Sequence, residues 1–282
     1  MQDRKKTGAM LMLSGKNSKK KALSLKTKKT GLTGKSRSDS EWIYGLNPVM
    51  EATKAGRIIK RIVISTARHD KGLEVRKEAG TRHISVEFAD PVFFDNTFSK
   101  GHQGIAAEAS PKDYIDLEDL IDIPFRKNEP ALFVILDCIE DPRNLGAVLR
   151  VADAAGVHGI VIQSHRSATL GSGVSKVSAG AVEYMPVSIV ANIKHAFHAM
   201  KKRGINIIGA EANASNTIWD APFTEPLALV IGSEGKGLRK TVSDQCDILV
   251  SIPMYGKINS LNVSVATGIL AFEILRQRIK KN

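Results

Sequence analysis

Cysteines and long hydrophobic runs are scarce in this sequence of 282 residues. The two cysteines, Cys138 and Cys246, lie far apart and neither belongs to a CxxC pair. This excludes a disulfide framework and predicts two reduced, buried thiols in a cytosolic protein. No apolar run is long enough to span a bilayer, and the segment AMLML is too short for the core of a signal peptide. We therefore expect a cytoplasmic location.

The common nucleotide-binding fingerprints are also absent. The glycine-rich stretch VIGSEGKGL, residues 230–238, has no Lys-Ser or Lys-Thr pair after its last glycine, which excludes a Walker loop. The buried strand ALFVILDCI leads into EDPRN without a glycine, which excludes a dinucleotide-binding dehydrogenase. The seven histidines show neither metal-ligand nor catalytic-triad spacing, so we expect no metal site.

Acidic residues are rare at the start of the chain, where residues 1–40 carry twelve Lys or Arg against two Asp. This segment holds +10 of the total formal charge of +12, which leaves the remainder nearly neutral. Its Lys, Ser, Thr and Gly content predicts a disordered tail, since it has few apolar residues to bury. We interpret residues 1–40 as an RNA-binding arm; a solubility tail and a transit peptide remain open alternatives.

Two α/β units follow the basic tail. Residues 41–110 predict a small unit that begins with a helix capped by Asn47, with Pro48 at its first position. Residues 111–130 contain three prolines and an acidic patch, which is typical of a linker. Residues 131–282 alternate strands and helices, which predicts a parallel sheet covered on both faces. Ligands of such sheets bind outside the carboxyl ends of the strands.

The first polar strand end of the second unit is EDPRNLGAVLR, residues 140–150. Asn144 opens the predicted helix, so an N-cap is its simplest role. Arg150 lies six residues later, about 240° further round the helix, and we expect the two side chains to serve different partners. Arg150 falls among apolar residues, which indicates a phosphate, a carboxylate or a subunit interface, unless its stem only covers the core.

Two further strand ends carry polar residues, in the stretches 230–238 and 251–275. Glycines in the first permit close approach of backbone to a ligand, and Glu234 lies among them as either a helix cap or a functional carboxylate. The second places Ser260, Asn262 and Ser264 at the start of the last helix. One or two of these must be caps, but a cap does not require all three.

Together these stretches resemble a known family. DPRNLGAVLRVADAAG, VIGSEGKGL and SIPMYGKINSLNVSVATGILAFEIL resemble, in order, the three motifs of the SpoU (TrmH-type) RNA 2′-O-methyltransferases of the SPOUT superfamily. The segments YGLNPVMEA and GHQGIAA resemble the ribosomal-protein-like RNA-binding domain of the subgroup that modifies a guanosine of large-subunit rRNA. The resemblance implies an α/β fold with a C-terminal deep trefoil knot, preceded by a small α/β RNA-binding domain.

The resemblance also implies S-adenosylmethionine as the methyl donor, a homodimer, and specific site residues. By matching positions, Gly232, Ile252 and Leu261 would bind the cofactor, while Arg150, Asn144, Glu234, Ser260 and Asn262 would serve catalysis. Small uncharged polar groups would suit a sulfonium donor, because a carboxylate lip would hold its ground state too well. We expect Arg150 to act as a cation rather than a base, since a guanidinium holds its proton firmly.

The expected function is therefore 2′-O-methylation of a ribose, in a guanosine, within large-subunit rRNA. A tRNA 2′-O-methyltransferase is the alternative within the family. A non-catalytic, rRNA-binding ribosome-assembly factor is the alternative from another functional class.

Overall fold

The computed structural model describes residues 40–258 and 260–281. The predicted basic tail lies outside this part of the chain, apart from Ser40. None of the helices described within it is long and apolar enough to cross a membrane.

A four-stranded sheet forms the first unit. It contains β1 (Glu41–Tyr44), α1 (Leu46–Lys54), β2 (Ile59–Ser65), α2 (His69–Thr81), β3 (Ser85–Ala89), α3 (Pro91–Thr97) and β4 (Ile105–Ala109). The strand order is β1-β4-β2-β3, and only the β2–β3 pair is parallel. One face packs on α1 and α2 and the other on Phe94 and Phe98. Gly45 rather than Asn47 precedes α1, so the predicted cap is wrong.

A seven-stranded sheet forms the second unit. Its strands are β5 (Leu132–Leu136), β6 (Gly159–Gln163), β7 (Val187–Val190), β8 (Asn206–Ala210), β9 (Asn216–Thr217), β10 (Leu227–Ile231) and β11 (Ile248–Ser251). All pairs are parallel, in the order β7-β6-β5-β10-β8-β11-β9. The predicted parallel α/β fold is thus confirmed.

Helices cover both faces of this sheet. They are α4 (Leu117–Lys127), α5 (Pro142–Ala154), α6 (Ser172–Val177), α7 (Ile193–Lys202), α8 (Lys240–Ser243) and α9 (Val263–Lys281). Side chains alternate along β5: Leu132, Val134 and Leu136 join the core under α5 and α9, while Phe133 and Ile135 join the core under α4 and α7. Period-two alternation therefore gives two hydrophobic cores, one on each side of the sheet.

The segment predicted as a linker does connect the two sheets, but it also contains α4. Leu120 and Ile121 of this helix are fully buried with Phe133 and Ile135. The prolines indicated irregular structure, but Pro124 lies inside a helix that packing stabilises. The domain boundaries themselves remain a prediction.

Residues 171–185 do not form one continuous helix. α6 ends at Val177, because Ala179 and Gly180 adopt left-handed conformations with φ of 52° and 95°. A Cβ at Gly180 would lie 2.6 Å from Cβ of Glu51, so the break brings the second unit against α1.

Buried charges join the two units where the second unit contacts α1, a contact that we call the seam. Arg57 Nη1 donates to Glu183 Oε1 at 2.7 Å, and its Nη2 contacts Glu41. The side chains of Arg57 and Glu183 are only 4% and 1% exposed. Lys112 Nζ and Tyr184 Oη add hydrogen bonds to the Glu183 carbonyl and to Glu51 Oε2, both at 2.7 Å. The units are therefore held by directional contacts that span the linker.

Candidate cofactor and RNA site

A cavity of about 380 Å³ opens at the carboxyl ends of β8, β10 and β11. Its walls are residues 210–213 after β8, 231–237 after β10, and 250–266 around the start of α9, with gaps. Parallel strands place their carboxyl ends at one edge of a sheet, which is why segments distant in sequence meet here. The volume falls within the range of about 300–1,000 Å³ typical of small-molecule sites.

Gly232, Ile252 and Leu261, the three residues predicted to bind the cofactor, all line this cavity. Gly232 sits where no side chain fits: a Cβ there would be 2.1 Å from the carbonyl carbon of Gly237. The turn after β10 closes on itself through a bridge between Ser233 and Gly237. The tight turn itself therefore requires glycine at position 232. The close approach of backbone to a ligand stays a prediction.

The residues predicted to be catalytic divide into two groups. Glu234 and Ser260 line the cavity, and Glu234 lies in an exposed turn rather than at a helix N-terminus. Asn144, Arg150 and Asn262 are not among the described residues that line the cavity. Asn262 lies next to it in sequence, between Leu261 and Val263, which are both lining residues.

Asn144 does not cap α5. Asp141 does, because its Oδ1 accepts a hydrogen bond from the backbone N–H of Arg143 at 2.8 Å. Asn144 lies in the first turn, where its Oδ1 accepts a hydrogen bond from Asn262 Nδ2 at 3.0 Å. The prediction of an N-cap failed because aspartate three residues earlier takes that role.

Asn262 is a cap of α9. Its Oδ1 accepts hydrogen bonds from the backbone N–H of Ser264 at 3.0 Å and from the Ser264 hydroxyl at 2.6 Å. The expectation that one of the polar residues before this helix is a cap is thus confirmed. The same side chain also links α9 to α5 through Asn144.

Arg150 lies on the exposed side of α5. It makes no ion pair with any residue in the ranges 40–258 and 260–281. Arg150 and Asn144 lie on different faces of α5, as their spacing of six residues predicted. Within one chain, Arg150 therefore lies outside the lining of the cavity.

Two charged residues of the cavity were missed by the sequence analysis, Glu211 and Lys236. Glu211 directly follows β8, and a Cβ at Gly237 would be 3.0 Å from its Oε1. Glu211 therefore adds a second carboxylate to the lining, beside the predicted site residue Glu234. β8 lies between β10 and β11 in the sheet, so its carboxyl end belongs to the same edge, but only the strand order reveals this.

Sequence comparisons match both units of the fold. A profile of the SpoU rRNA Methylase family matches residues 131–272. A profile described as RNA 2′-O ribose methyltransferase substrate binding matches residues 42–115. The chain belongs to the SpoU rRNA methylase family. The resemblance seen in the three motifs is confirmed.

Relatives cover nearly the whole described chain. The 23S rRNA (guanosine-2′-O-)-methyltransferase RlmB of Pseudomonas aeruginosa is 38% identical over 244 residues, which are 85% of this chain and 98% of RlmB. YacO of Bacillus subtilis, whose name places it in the TrmH family of tRNA/rRNA methyltransferases, is 38% identical over 242 residues, 84% of this chain and 96% of YacO.

Solved structures of SpoU methyltransferases share the fold. AviRb from Streptomyces viridochromogenes, in complex with AdoMet, superposes with a TM-score of 0.73 at 25% identity and covers 86% of this chain and 92% of AviRb. The AdoMet-bound rRNA methyltransferase from Sinorhizobium meliloti gives a TM-score of 0.69 at 26% identity, covering 84% of this chain and 87% of that one. The trefoil knot implied by the family remains a prediction for this chain.

Proposed function

We propose that this protein transfers a methyl group from S-adenosylmethionine to the 2′-hydroxyl of a guanosine ribose in large-subunit rRNA, in the cytoplasm. The observation that carries the proposal is the convergence of Gly232, Ile252 and Leu261, from two of the family's motifs, on one cavity. The match of the substrate-binding profile to residues 42–115 and the similarity to RlmB support an rRNA substrate.

The cavity fits S-adenosylmethionine in size and in chemistry. When bound, this molecule supplies a methyl group carried on a sulfonium. Backbone groups beside Gly232, Ile252 and Leu261, which line the cavity, would hold it. The Glu211 carboxylate, on the same wall, is placed to accept hydrogen bonds from hydroxyl groups.

Methyl transfer would form a bond from the ribose oxygen to the methyl carbon and break the bond from that carbon to sulfur, and the hydroxyl proton would pass to water. We assign to Arg150 the stabilisation of the oxygen's developing negative charge and the positioning of RNA phosphate. A guanidinium keeps its proton, so it acts here as a fixed cation. We assign Glu234 and Ser260 to the reaction side of the cavity, and Asn144 and Asn262 to fixing the helices that frame it.

A homodimer would bring Arg150 to a second cavity. Val265, Phe272 and Ile279 recur every seven residues on α9 and are 49%, 48% and 65% exposed, which forms an apolar stripe on one face. Such a stripe is typical of a protein interface. α5 packs beside α9, with Val151 against Gly268, and carries Arg150 on its exposed side. We therefore infer that Arg150 of one protomer completes the cavity of its partner.

The proposal is tested by methyl transfer from labelled S-adenosylmethionine to unmodified large-subunit rRNA and, separately, to tRNA. We expect label in the rRNA, and a loss of kcat of about 10²–10³-fold in Arg150→Met with unchanged cofactor affinity. Arg143→Met is the matched control, because Arg143 lies on the same helix, is 83% exposed and pairs with Asp141. Label in tRNA alone would favour the tRNA enzyme, for which the name of YacO is the supporting observation. Absence of cofactor binding would leave only an assembly factor.

A further inference from the structure

A second cavity of about 630 Å³ lies directly against the first. Ser233, Glu234, Lys236 and Gly237 belong to the lining of both, so the turn after β10 is a wall between them. The other lining residues follow β5 and β6, the neighbouring strands of the sheet: Cys138, Glu140 and Arg166, with Leu238 and Arg239 closing the turn. The proposed methyl transfer does not itself use this second cavity.

Arg239 is held in one orientation by buried partners. Its Nε donates to Asp137 Oδ1 at 2.8 Å, and its backbone N–H donates to Asp137 Oδ2 at 3.0 Å. Its Nη2 donates to Gln163 Oε1 at 2.9 Å. Asp137 is fully buried and Gln163 is 8% exposed, whereas the Arg239 side chain is 40% exposed. The buried carboxylate therefore fixes a cation that still faces solvent.

One nitrogen of the Arg239 guanidinium, Nη1, remains available to bind a ligand. Within residues 40–258 and 260–281, Arg239 Nη1 makes no hydrogen bond. The hydrogen bond to Asp137 also raises the pKa of Arg239, so the group stays charged. A pre-oriented arginine loses little entropy when it binds a phosphate oxygen.

Arg166 supplies a second cation on the wall that follows β6. It is exposed, and it makes no ion pair with the described part of the chain. Arg166 and Cys138 both have left-handed backbones, with φ of 52° and 60°. Such conformations cost about 1 kcal/mol or more in residues other than glycine and are concentrated at functional sites. Two of them therefore line the same cavity at adjacent strand ends.

We propose that this second cavity receives a phosphodiester that flanks the target ribose, with Arg239 and Arg166 as its cations and Asp137 as the residue that positions Arg239. The proposal rests on the proposed methyltransferase function, because a ribose inside an RNA chain carries a phosphate on each side. The shared wall places such a phosphate next to the cofactor cavity. Arg150 and this cavity thus contact different parts of the RNA.

Lys236, on the shared wall, is a third cation of the lining. Two carboxylates, Glu140 and Glu234, also belong to the lining and bear on which phosphate enters. Like charges repel, and the repulsion is stronger for inorganic phosphate, which carries more charge than a phosphodiester. The lining therefore favours RNA over free phosphate. We expect inorganic phosphate at the ionic strength of the assay to compete no better than chloride.

The test compares Arg239→Gln and Arg166→Gln in the full chain, with unmodified large-subunit rRNA as substrate. We expect the KM for rRNA to rise about tenfold in each. The slope of log affinity against log salt should become shallower by about one for each lost contact. The affinity for S-adenosylmethionine, measured by calorimetry, should change less than twofold. Lys202→Gln is the control, since Lys202 is exposed at the end of α7, at the opposite edge of the sheet.

The positioning role of Asp137 needs a separate readout. Asp137→Asn should raise the KM for rRNA about as much as Arg239→Gln, and the double variant should add little to either single one. A residue that only stabilised the fold would lower the denaturation midpoint in Asp137→Asn without changing the KM of the folded fraction. That result would exclude a positioning role for Asp137.

Arg166→Gln keeps the proposal testable even if changes at the buried pair prevent folding, because Arg166 is exposed. If the wild-type protein methylates rRNA and both arginine variants match its KM and salt slope, the phosphate site is refuted while the enzyme stands. If the wild-type protein methylates no RNA, the proposed function itself fails. If inorganic phosphate competes strongly with rRNA, the cavity is a free-phosphate site and the proposal is overturned.

Discussion

Asn262 donates a hydrogen bond from Nδ2 to Oδ1 of Asn144 at 3.0 Å, across 118 positions of sequence. The oxygen of the same Asn262 amide accepts from the backbone of Ser264 and so caps α9. A single amide therefore starts one helix and ties it to the first turn of another. Because α9 also closes the cavity through Val263 and Ala266, this link sets the shape of the candidate site.

Asn262→Ala and Asn262→Asp separate the two roles of that amide. The alanine variant loses both the cap and the link, and we expect the free energy of unfolding to fall by about 2 kcal/mol. The aspartate variant keeps the capping oxygen but has no donor for Asn144 Oδ1, so the Asn144 amide must turn over to donate instead, and we expect a loss of at most about 1 kcal/mol. Urea titration measures both; equal losses in the two variants would contradict the account.

The outcome for Asn144 and Asn262 shows what the sequence could and could not predict. Alternation of strands and helices predicted the parallel sheet, because burial on both faces leaves a local signal in the residues. The N-cap of α5 could not be chosen between Asp141 and Asn144, since both residue types cap well. The Asn144–Asn262 bond is non-local and depends on how α5 packs against α9, which no local pattern records.

The cavity also combines features that the sequence could predict with features that it could not. Glycines predicted the close turn at Gly232, because their lack of a side chain is visible in the sequence. Glu211 was missed because a single carboxylate after a strand looks like any surface residue until the strand order is known. α4 was missed for another reason: Pro124 and the acidic patch outweighed the helical i, i+3, i+4 spacing of Leu117, Leu120 and Ile121, which pack in one core.

Gly232→Ala is expected to abolish cofactor binding. The added Cβ would be 2.1 Å from backbone atoms of Gly237, so the turn after β10 must move and the wall of the cavity with it. Calorimetry with S-adenosylmethionine should show at least a tenfold loss of affinity. Gly204→Ala is the control: Gly204 does not line the cavity, its Cβ would meet nothing within 4 Å, and its φ of 72° should cost only about 1 kcal/mol of stability. Unchanged affinity in Gly232→Ala would exclude this turn from the cofactor site.

Arg57→Met is expected to destabilise the seam between the two units. It leaves the buried Glu183 carboxylate, only 1% exposed, without its main cation. Removal of one partner from a buried pair costs about 3–5 kcal/mol, and we expect the lower end because Lys112 Nζ lies 3.7 Å from the other Glu183 oxygen.

Lys240→Met is the control for that seam. The Lys240–Asp244 pair lies outside the seam and is exposed, with Lys240 at 87% and Asp244 at 55%, so its loss should cost no more than about 0.5 kcal/mol. Chemical denaturation followed by circular dichroism compares the two variants. Similar losses would mean that the buried cluster is not what holds the units together.

His158 predicts a pH dependence of stability. Its Nδ1 accepts from the Leu132 N–H at 3.1 Å, so Nε2 carries the proton and donates to Glu129 at 2.9 Å. Burial lowers the pKa of His158 below its usual 6.5, although Glu129 opposes this shift. The unfolded chain therefore binds this proton more readily, and stability is lost as pH falls from about 6.5 through the folded pKa.

His158→Asn should remove that part of the pH dependence, since the asparagine oxygen can still accept from Leu132 while the titrating ring is gone. The check is the difference in unfolding free energy between pH 7.5 and pH 5.5, with the exposed His195→Asn as a control for loss of an imidazole. The same difference in His158→Asn as in wild type would contradict the assignment.

The most direct test of the central claim is a map of ribose 2′-O-methylation across total rRNA and tRNA from cells with and without this protein. We predict that one guanosine in the large-subunit rRNA loses its methyl group when the protein is absent. We also predict that wild-type protein restores it and Arg150→Met does not. A map that is the same in both cells, for rRNA and tRNA alike, would contradict the account.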